Sequence, residues 1–101
     1  MMTLNEFRQA RDLLSGILSN TSLIYSPHFS KQCGGNVYLK PENMQLTGAY
    51  KVRGACFKVS TLTEQEKARG LVTASAGNHA QGVAFAAQRV GVPATIVMPT
   101  T

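Results

Sequence analysis

The last third of the chain alternates between short apolar runs and one alanine-rich segment. Residues 71–74 and 94–98 are β-prone runs, and residues 78–90 between them have the pattern of a helix that ends at Gly91. A strand, a helix and a strand joined by such short connections form a βαβ unit, so the two strands should be parallel. Parallel sheets are normally covered by helices. We therefore expect an α/β fold, a parallel sheet with flanking helices that is buried on both faces.

The first half of the chain predicts further elements of lower regularity. Thr3 opens a capping-box pattern followed by apolar residues at helical spacing, which predicts a helix over about residues 4–18. Residues 21–30 have the pattern of an extended connection broken by Pro27. A glycine pair then precedes a predicted short strand over residues 37–40.

The middle of the chain predicts two helices. Residues 52–62 have a helical pattern, and Thr63 with Glu66 forms a second capping box that opens a short helix ending at Gly70. Cys56 falls on the first of these helices, where core packing is the expected role.

Composition excludes several classes of protein. With 101 residues, 44% of them hydrophobic and 15% charged, the chain fits one globular unit near the lower end of domain size. The net charge of +5 comes from scattered basic residues without a run, and there is no tryptophan to stack on bases, so nucleic acid is not an expected partner. A binding site for the anionic phosphate and carboxylate groups of small ligands would explain part of this excess of basic residues.

Cysteine usage and the N-terminus indicate a cytoplasmic protein. Cys33 and Cys56 have neither metal-ligand spacing nor the density of a disulfide scaffold, so we expect reduced thiols and no metal site. The first residues lack the basic-then-apolar pattern of a signal peptide, and no apolar stretch approaches the length of a membrane span. The cytosol is the expected location, without a membrane partner.

The loop between the first predicted strand and the alanine-rich helix is the first candidate binding site. It consists of Ser75, Ala76, Gly77, Asn78 and His79. Ligands of open α/β sheets bind beyond the carboxyl ends of strands, where the free N–H groups and dipole of a following helix favour an anion such as a carboxylate. The alternative is a helix start that is merely capped by the side chain of Ser75 or Asn78. The glycines of this region do not match a nucleotide-binding motif.

Lys51 is the candidate catalytic residue. It lies among small residues in the segment 46–55, where a planar ligand can approach it, and a lysine amine can form an imine with an aldehyde. Attack requires the free amine, which the neighbouring cation Arg53 and partial burial would favour. The alternative is an exposed lysine at a helix start. Glu42 and Gln45 are expected to orient the lysine loop.

These motifs together resemble a known family. Segments 38–43, 46–55, 75–82 and 94–99 are similar to the N-terminal part of the tryptophan-synthase-like (fold type II) pyridoxal-phosphate enzymes, and within that group to the threonine dehydratases (threonine ammonia-lyases), especially the degradative form. The resemblance covers nearly the whole chain. It implies a partial three-layer fold, pyridoxal 5′-phosphate as the cofactor, a small amino acid as the substrate and a homo-oligomeric complete enzyme.

The resemblance also implies residue roles. Lys51 would be joined to the cofactor and would later remove the substrate's α-proton. The Asn78 amide would bind the cofactor's 3′-oxygen, while the backbone of residues 75–79 and the Ser75 hydroxyl would hold the substrate carboxylate. The implied reaction is β-elimination from L-threonine, which gives 2-oxobutanoate and ammonia, and from L-serine, which gives pyruvate. His79 is expected to be a structural donor rather than a general base.

The sequence departs from the family pattern near the lysine and at its end. Most members carry serine and phenylalanine where this chain has Ala49 and Tyr50, which affects cofactor affinity or rate rather than the chemistry. The family's glycine-rich phosphate loop and the partner of the pyridine nitrogen lie beyond residue 101. Residues 1–101 are therefore expected to be the N-terminal part of a truncated catalytic domain, inactive alone. The alternatives are a serine racemase or another fold type II enzyme, or a non-catalytic remnant.

Overall fold

The computed structural model describes residues 1–100 as a mixed assembly of helices and two small sheets. Within these residues no helix is both long and apolar enough to cross a membrane. The elements follow in the order α1 (Leu4–Leu14), β1 (Ile24–Tyr25), α2 (Pro27–Cys33), β2 (Tyr38–Leu39), a 3₁₀ turn (Glu42–Met44), α3 (Lys51–Ser60), α4 (Glu64–Ala68), β3 (Leu71–Ala74), α5 (Asn78–Val90) and β4 (Ala94–Val97).

The βαβ unit forms as predicted. Strands β3 and β4 pair in parallel, from Leu71 opposite Ala94 to Ala74 opposite Val97, and α5 connects them. Helix α5 has the predicted bounds, and it ends because Gly91 adopts a left-handed conformation with φ 69°. This unit places the loop 75–79 at the carboxyl end of β3.

The sheet β3–β4 is covered on one face only. Helix α5 packs on both strands, and Leu71 and Ile96 are packed against the core beneath it. On the other side Val72 is 76% exposed and Val97 is 54% exposed. The prediction that both faces are buried is therefore wrong for residues 1–100, because within them only one layer of helix lies against the strands.

The core lies between α3 and α5, which form the most extensive contact between elements. Its buried members are small side chains that let the two helices approach closely, namely Val52, Ala55, Cys56, Val59, Val83 and Ala86. The predicted core position of Cys56 is confirmed, and burial raises the pKa of its thiol. Both cysteines are free thiols, as predicted.

The two capping boxes form, but α1 is shorter than predicted. The hydroxyls of Thr3 and Thr63 each accept a hydrogen bond from the backbone N–H three residues later, and the glutamate there closes the box. Helix α1 ends at Leu14 because Gly16 takes a left-handed conformation with φ 78°. The apolar residues after this break pack against the core without being helical.

Helix α2 was not predicted. We expected Pro27 to break an extended connection, whereas this proline is the first residue of a helix. The Ser26 hydroxyl accepts a hydrogen bond from the Phe29 backbone N–H at 3.4 Å, and Gly34 ends the helix with φ 68°. Proline is well suited to the first helical position because its missing N–H would have no partner there.

Candidate active site

Two hydrogen bonds fix the loop that follows β3. The Ser75 backbone N–H donates to the Val97 carbonyl at 3.0 Å, which extends the sheet ladder by one step beyond the strand. The Ser75 hydroxyl then accepts a hydrogen bond from the Gly77 N–H at 3.2 Å. Ser75 is half-buried, while Ala76 and Gly77 are exposed. The turn therefore presents its backbone to solvent at the edge where the helix begins.

Helix α5 starts without a side-chain cap. Gly77 occupies the N-cap position, and no side chain among residues 1–100 caps the N–H groups of the first helical turn, since the Ser75 hydroxyl accepts only from the Gly77 N–H before that turn. The alternative of a helix start capped by Ser75 or Asn78 is therefore wrong. The first turn of this helix keeps N–H groups and the positive end of the helix dipole available for an anion. Asn78 and His79 are the first two residues of α5, and both are exposed.

Lys51 is the first residue of α3 and is exposed. Its Nζ lies 5.1 Å from the centroid of the Tyr50 ring, which is within the range of a cation–π contact. Arg53 instead donates two hydrogen bonds to Glu42, at 2.7 Å and 2.8 Å. Partial burial of Lys51 was expected and is not found within residues 1–100. The expected influence of the Arg53 charge on the lysine amine stays a prediction.

Gly82 brings the lysine and the loop together. It lies one turn after Asn78 on α5 and is buried. A Cβ atom added to Gly82 would lie 3.2 Å from the Lys51 carbonyl carbon and oxygen and from the Val52 nitrogen. Helices can approach so closely only where one of them lacks a side chain. The start of α3 therefore lies directly against the first turns of α5, beside the uncapped N–H groups.

We expect opposite effects from adding one methyl group to two helical glycines. Gly82→Ala should destabilise the protein by about 1–3 kcal/mol, because the new Cβ meets backbone atoms that cannot move aside. Gly54→Ala on α3 meets nothing within 4 Å and should stabilise it by about 0.5–1 kcal/mol, through helix propensity. Denaturant unfolding of both variants measures these changes. A Gly82→Ala variant as stable as Gly54→Ala would contradict the contact.

His79 lines a different surface from the one expected for an anion contact. Its side chain borders a groove of ≈ 430 Å³ between α3 and the sheet, together with Gly54, Lys58, Thr73 and Val83 among others. No hydrogen bond from His79 to another side chain is formed within residues 1–100. The expected role of His79 as a structural donor rather than a general base therefore stays a prediction.

Two predicted residues before the lysine do make long-range contacts. The buried Gln45 side chain accepts from the Ser19 backbone N–H and donates to the Ser19 carbonyl, both at 2.9 Å. Glu42 binds Arg53 and the hydroxyl of Thr21. Thr21 was not predicted as a functional residue, because in the sequence it is only a polar residue at the start of a segment that we expected to be an extended connection.

A second residue missed from the sequence is Thr47. Its hydroxyl oxygen is the one buried side-chain polar atom among residues 1–100 that has no hydrogen-bond partner. Thr47 lies four residues before Lys51, on the loop that leads into α3. A buried hydroxyl without a protein partner leaves room for a hydrogen bond to a ligand or to water.

The site therefore combines an exposed lysine amine, an uncapped helix N-terminus and an amide side chain at the carboxyl edge of a parallel strand. The family model described as "Pyridoxal-phosphate dependent enzyme" matches residues 14–101. The chain belongs to this family. The predicted fold class, the resemblance to fold type II enzymes and the expected cofactor are confirmed by this match and by the relatives described next.

Two similar proteins are named for a reaction of L-threonine. An L-threonine ammonia-lyase of Thermotoga maritima is 54% identical over 99 residues, which cover 98% of this chain and 25% of that protein. A catabolic L-threonine dehydratase of Staphylococcus aureus is 47% identical over 102 residues, which cover all of this chain and 30% of that protein. The chain thus spans about a quarter to a third of the length of these relatives.

Solved structures agree with the fold. A threonine deaminase from T.th. superposes with a TM-score of 0.84 at 39% identity, over 97% of this chain and 31% of the other. A serine racemase from Dictyostelium discoideum superposes with a TM-score of 0.90 at 33% identity, over 97% of this chain and 32% of the other. Both are mixed α/β relatives, so the fold does not by itself separate elimination from racemisation.

The described residues fit pyridoxal phosphate on one side of a site. Lys51 supplies an accessible amine, Asn78 supplies an amide at the helix start, and the unpartnered Thr47 hydroxyl lies on the loop before the lysine. An amine can attach to the aldehyde of the cofactor, and an amide and a hydroxyl can form hydrogen bonds with its oxygen atoms.

Proposed function

We propose that residues 1–101 are the N-terminal part of the catalytic domain of a pyridoxal-phosphate-dependent L-threonine ammonia-lyase. The observation that carries this proposal is the close approach at Gly82, which sets the backbone of Lys51 against the first turns of α5. A reactive amine and a carboxylate-binding helix start then lie side by side. By the complete enzyme we mean residues 1–101 followed by the rest of the catalytic domain.

The loop 75–79 binds the substrate carboxylate in this proposal. Backbone N–H groups at the start of α5 donate to the carboxylate, and the helix dipole adds to the attraction. Gly77 lets the carboxylate come close to the backbone because it has no side chain. The Ser75 hydroxyl, which accepts from the Gly77 N–H, keeps its own proton free to donate to the same anion.

Lys51 and Asn78 hold the cofactor and orient it. Lys51 would be the point of covalent attachment, and the Asn78 amide would donate to the cofactor's 3′-oxygen. Pyridoxal phosphate, when bound, supplies the electron sink that makes an α-proton acidic. The amine of Lys51, freed when the amino group of L-threonine takes its place, would then remove the α-proton of the substrate as a general base. Loss of the β-hydroxyl as water and hydrolysis of the remaining enamine give 2-oxobutanoate and ammonia.

Further parts of the proposal concern the biology of the complete enzyme. L-Serine is a second substrate that yields pyruvate by the same steps, and the role is in amino-acid catabolism or in isoleucine biosynthesis. We place the enzyme in the cytoplasm, as a homo-oligomer. The free thiols of Cys33 and Cys56 support a reducing compartment.

Serine racemase is the second candidate, since a serine racemase superposes at a TM-score of 0.90. Ala76 favours elimination. Racemisation needs a proton donor on the face of the substrate opposite the lysine, and the methyl side chain of Ala76 cannot supply one.

The proposal is tested by comparing the complete enzyme with the isolated 101-residue chain. With pyridoxal phosphate and L-threonine, the complete enzyme should release 2-oxobutanoate and ammonia in equal amounts. The isolated chain should show no appreciable activity, because phosphate anchoring by the rest of the domain is missing. The readouts are 2-oxobutanoate and ammonia assays. Failure of the complete enzyme to form 2-oxobutanoate would refute the proposed function. Strong activity of the isolated chain would refute the idea that residues outside this segment are needed to anchor the phosphate.

A further inference from the structure

A polar cluster links three separate segments beside the lysine helix. Arg53 on α3 donates from Nε and from one terminal nitrogen to the two carboxylate oxygens of Glu42, at 2.7 Å and 2.8 Å. The same Arg53 nitrogen donates to the Thr21 hydroxyl at 3.0 Å, and that hydroxyl donates to Glu42. Lys40 donates to the Thr21 carbonyl. We call these four residues the Glu42 cluster.

The Glu42 cluster is better shielded from solvent than the other ion pairs of residues 1–100. The Glu42 side chain is 18% exposed and the Arg53 side chain is 35% exposed, whereas the other two ion pairs of residues 1–100 each include a side chain at least 67% exposed. A two-pronged arginine–carboxylate contact fixes orientation as well as distance. The hydrogen bonds from Arg53 lower the pKa of the Glu42 carboxyl to about 2, so it remains a carboxylate at physiological pH.

The start of α3 depends on such contacts because it lacks a cap. Tyr50 occupies its N-cap position in a helical conformation, and no side chain among residues 1–100 caps it. Arg53 lies within the first turn of this helix, two residues after Lys51. The contact at Gly82 supports the backbone of Lys51 from α5, and the Glu42 cluster ties the same turn to the segments around residues 21 and 42.

We propose that Glu42 is a positioning residue for Lys51. It holds the first turn of α3 through Arg53, so that the lysine amine keeps one position for attachment to the cofactor and for proton transfer. The inference rests on the proposed function, but Glu42 itself contacts neither cofactor nor substrate in it. The cluster thus acts at a distance, through the orientation of a helix start.

The test uses Glu42→Gln in the complete enzyme. This variant keeps the shape of the side chain and removes its charge. The rate of cofactor attachment to the apoenzyme, followed by the visible absorbance of the bound cofactor, should fall by about ten- to a hundredfold. The value of kcat for L-threonine should fall by a similar factor, with little change in KM. Glu64→Gln is the matched control, because it removes an exposed ion pair with Lys67 on α4 and should leave both rates unchanged.

A double-mutant cycle separates positioning from general stability. Arg53→Gln should slow attachment about as much as Glu42→Gln, and the double variant should be no slower than either, because both act through one contact. Additive losses would overturn the inference. So would a Glu42→Gln variant with a lowered melting temperature but an unchanged attachment rate and absorbance. If the wild-type enzyme does not attach cofactor at Lys51, the proposed function fails instead.

Discussion

Replacement of Lys51 by alanine in the complete enzyme should lower kcat for L-threonine by at least about 10³-fold, because the variant loses both the covalent attachment of the cofactor and the base that removes the α-proton. The absorbance band of the attached cofactor should vanish as well. Lys58→Ala is the matched control. Lys58 lies two turns later on the same helix and is also exposed, so its loss should change kcat less than about twofold.

Borohydride reduction and peptide mapping identify the lysine directly. Reduction of the wild-type enzyme with bound cofactor should place the label on the peptide that contains Lys51. The other lysines of residues 1–101 serve as internal controls within the same digest, namely Lys31, Lys40, Lys58 and Lys67. Label on one of these, or on a lysine elsewhere in the complete enzyme, would refute the assignment and most of the proposed mechanism.

With L-serine, the complete enzyme should form pyruvate far faster than D-serine, by about a hundredfold or more. Only Lys51 can then return a proton to the α-carbon, and it does so on the face from which it took the proton. Ala76 is exposed in the loop but has no proton to give. Chiral chromatography of the product mixture, with a pyruvate assay on the same samples, measures both rates.

Ala76→Ser supplies the missing hydroxyl and tests whether the lack of a proton donor at this position is what prevents racemisation. The family resemblance implies a serine at this position in the serine racemases. The variant should raise the ratio of D-serine to pyruvate by about tenfold, because its hydroxyl can act on the face opposite the lysine. Ala76→Gly, which adds no proton donor, controls for changes in loop shape. D-Serine formation by the unsubstituted enzyme at a rate close to that of pyruvate would instead support the racemase candidate.

Local sequence patterns predicted those parts of the fold that depend on local chemistry. The bounds of α5 and the parallel pairing of β3 with β4 follow from a glycine stop and from short connections between apolar runs. Both capping boxes form for the same reason. Helix α2 was missed although its signal was local, because Pro27 was interpreted as a break rather than as the first residue of a helix capped by Ser26.

Contacts between distant residues could not be predicted in the same way. Arg53 is two residues from Lys51 in the chain, which suggested an electrostatic effect on the lysine amine. The Arg53 guanidinium instead donates hydrogen bonds to the carboxylate of Glu42 and the hydroxyl of Thr21, which lie 11 and 32 residues away in the chain. The contact of Gly82 with Lys51 is equally invisible in sequence, where the glycine had only been compared with nucleotide-binding motifs. Their roles in catalysis remain proposals that the variants above test.

The contact between Gly82 and Lys51 also limits how the site can open and close. Backbone atoms touch there without a flexible side chain between them, so a rotation of α5 carries the start of α3 with it. The backbone of Lys51 and the first turns of α5 therefore move as one unit, while the lysine side chain keeps its own rotational freedom. Under the proposed function, we expect a closing motion around bound substrate to leave the α3–α5 pair intact, with its hinge outside that pair.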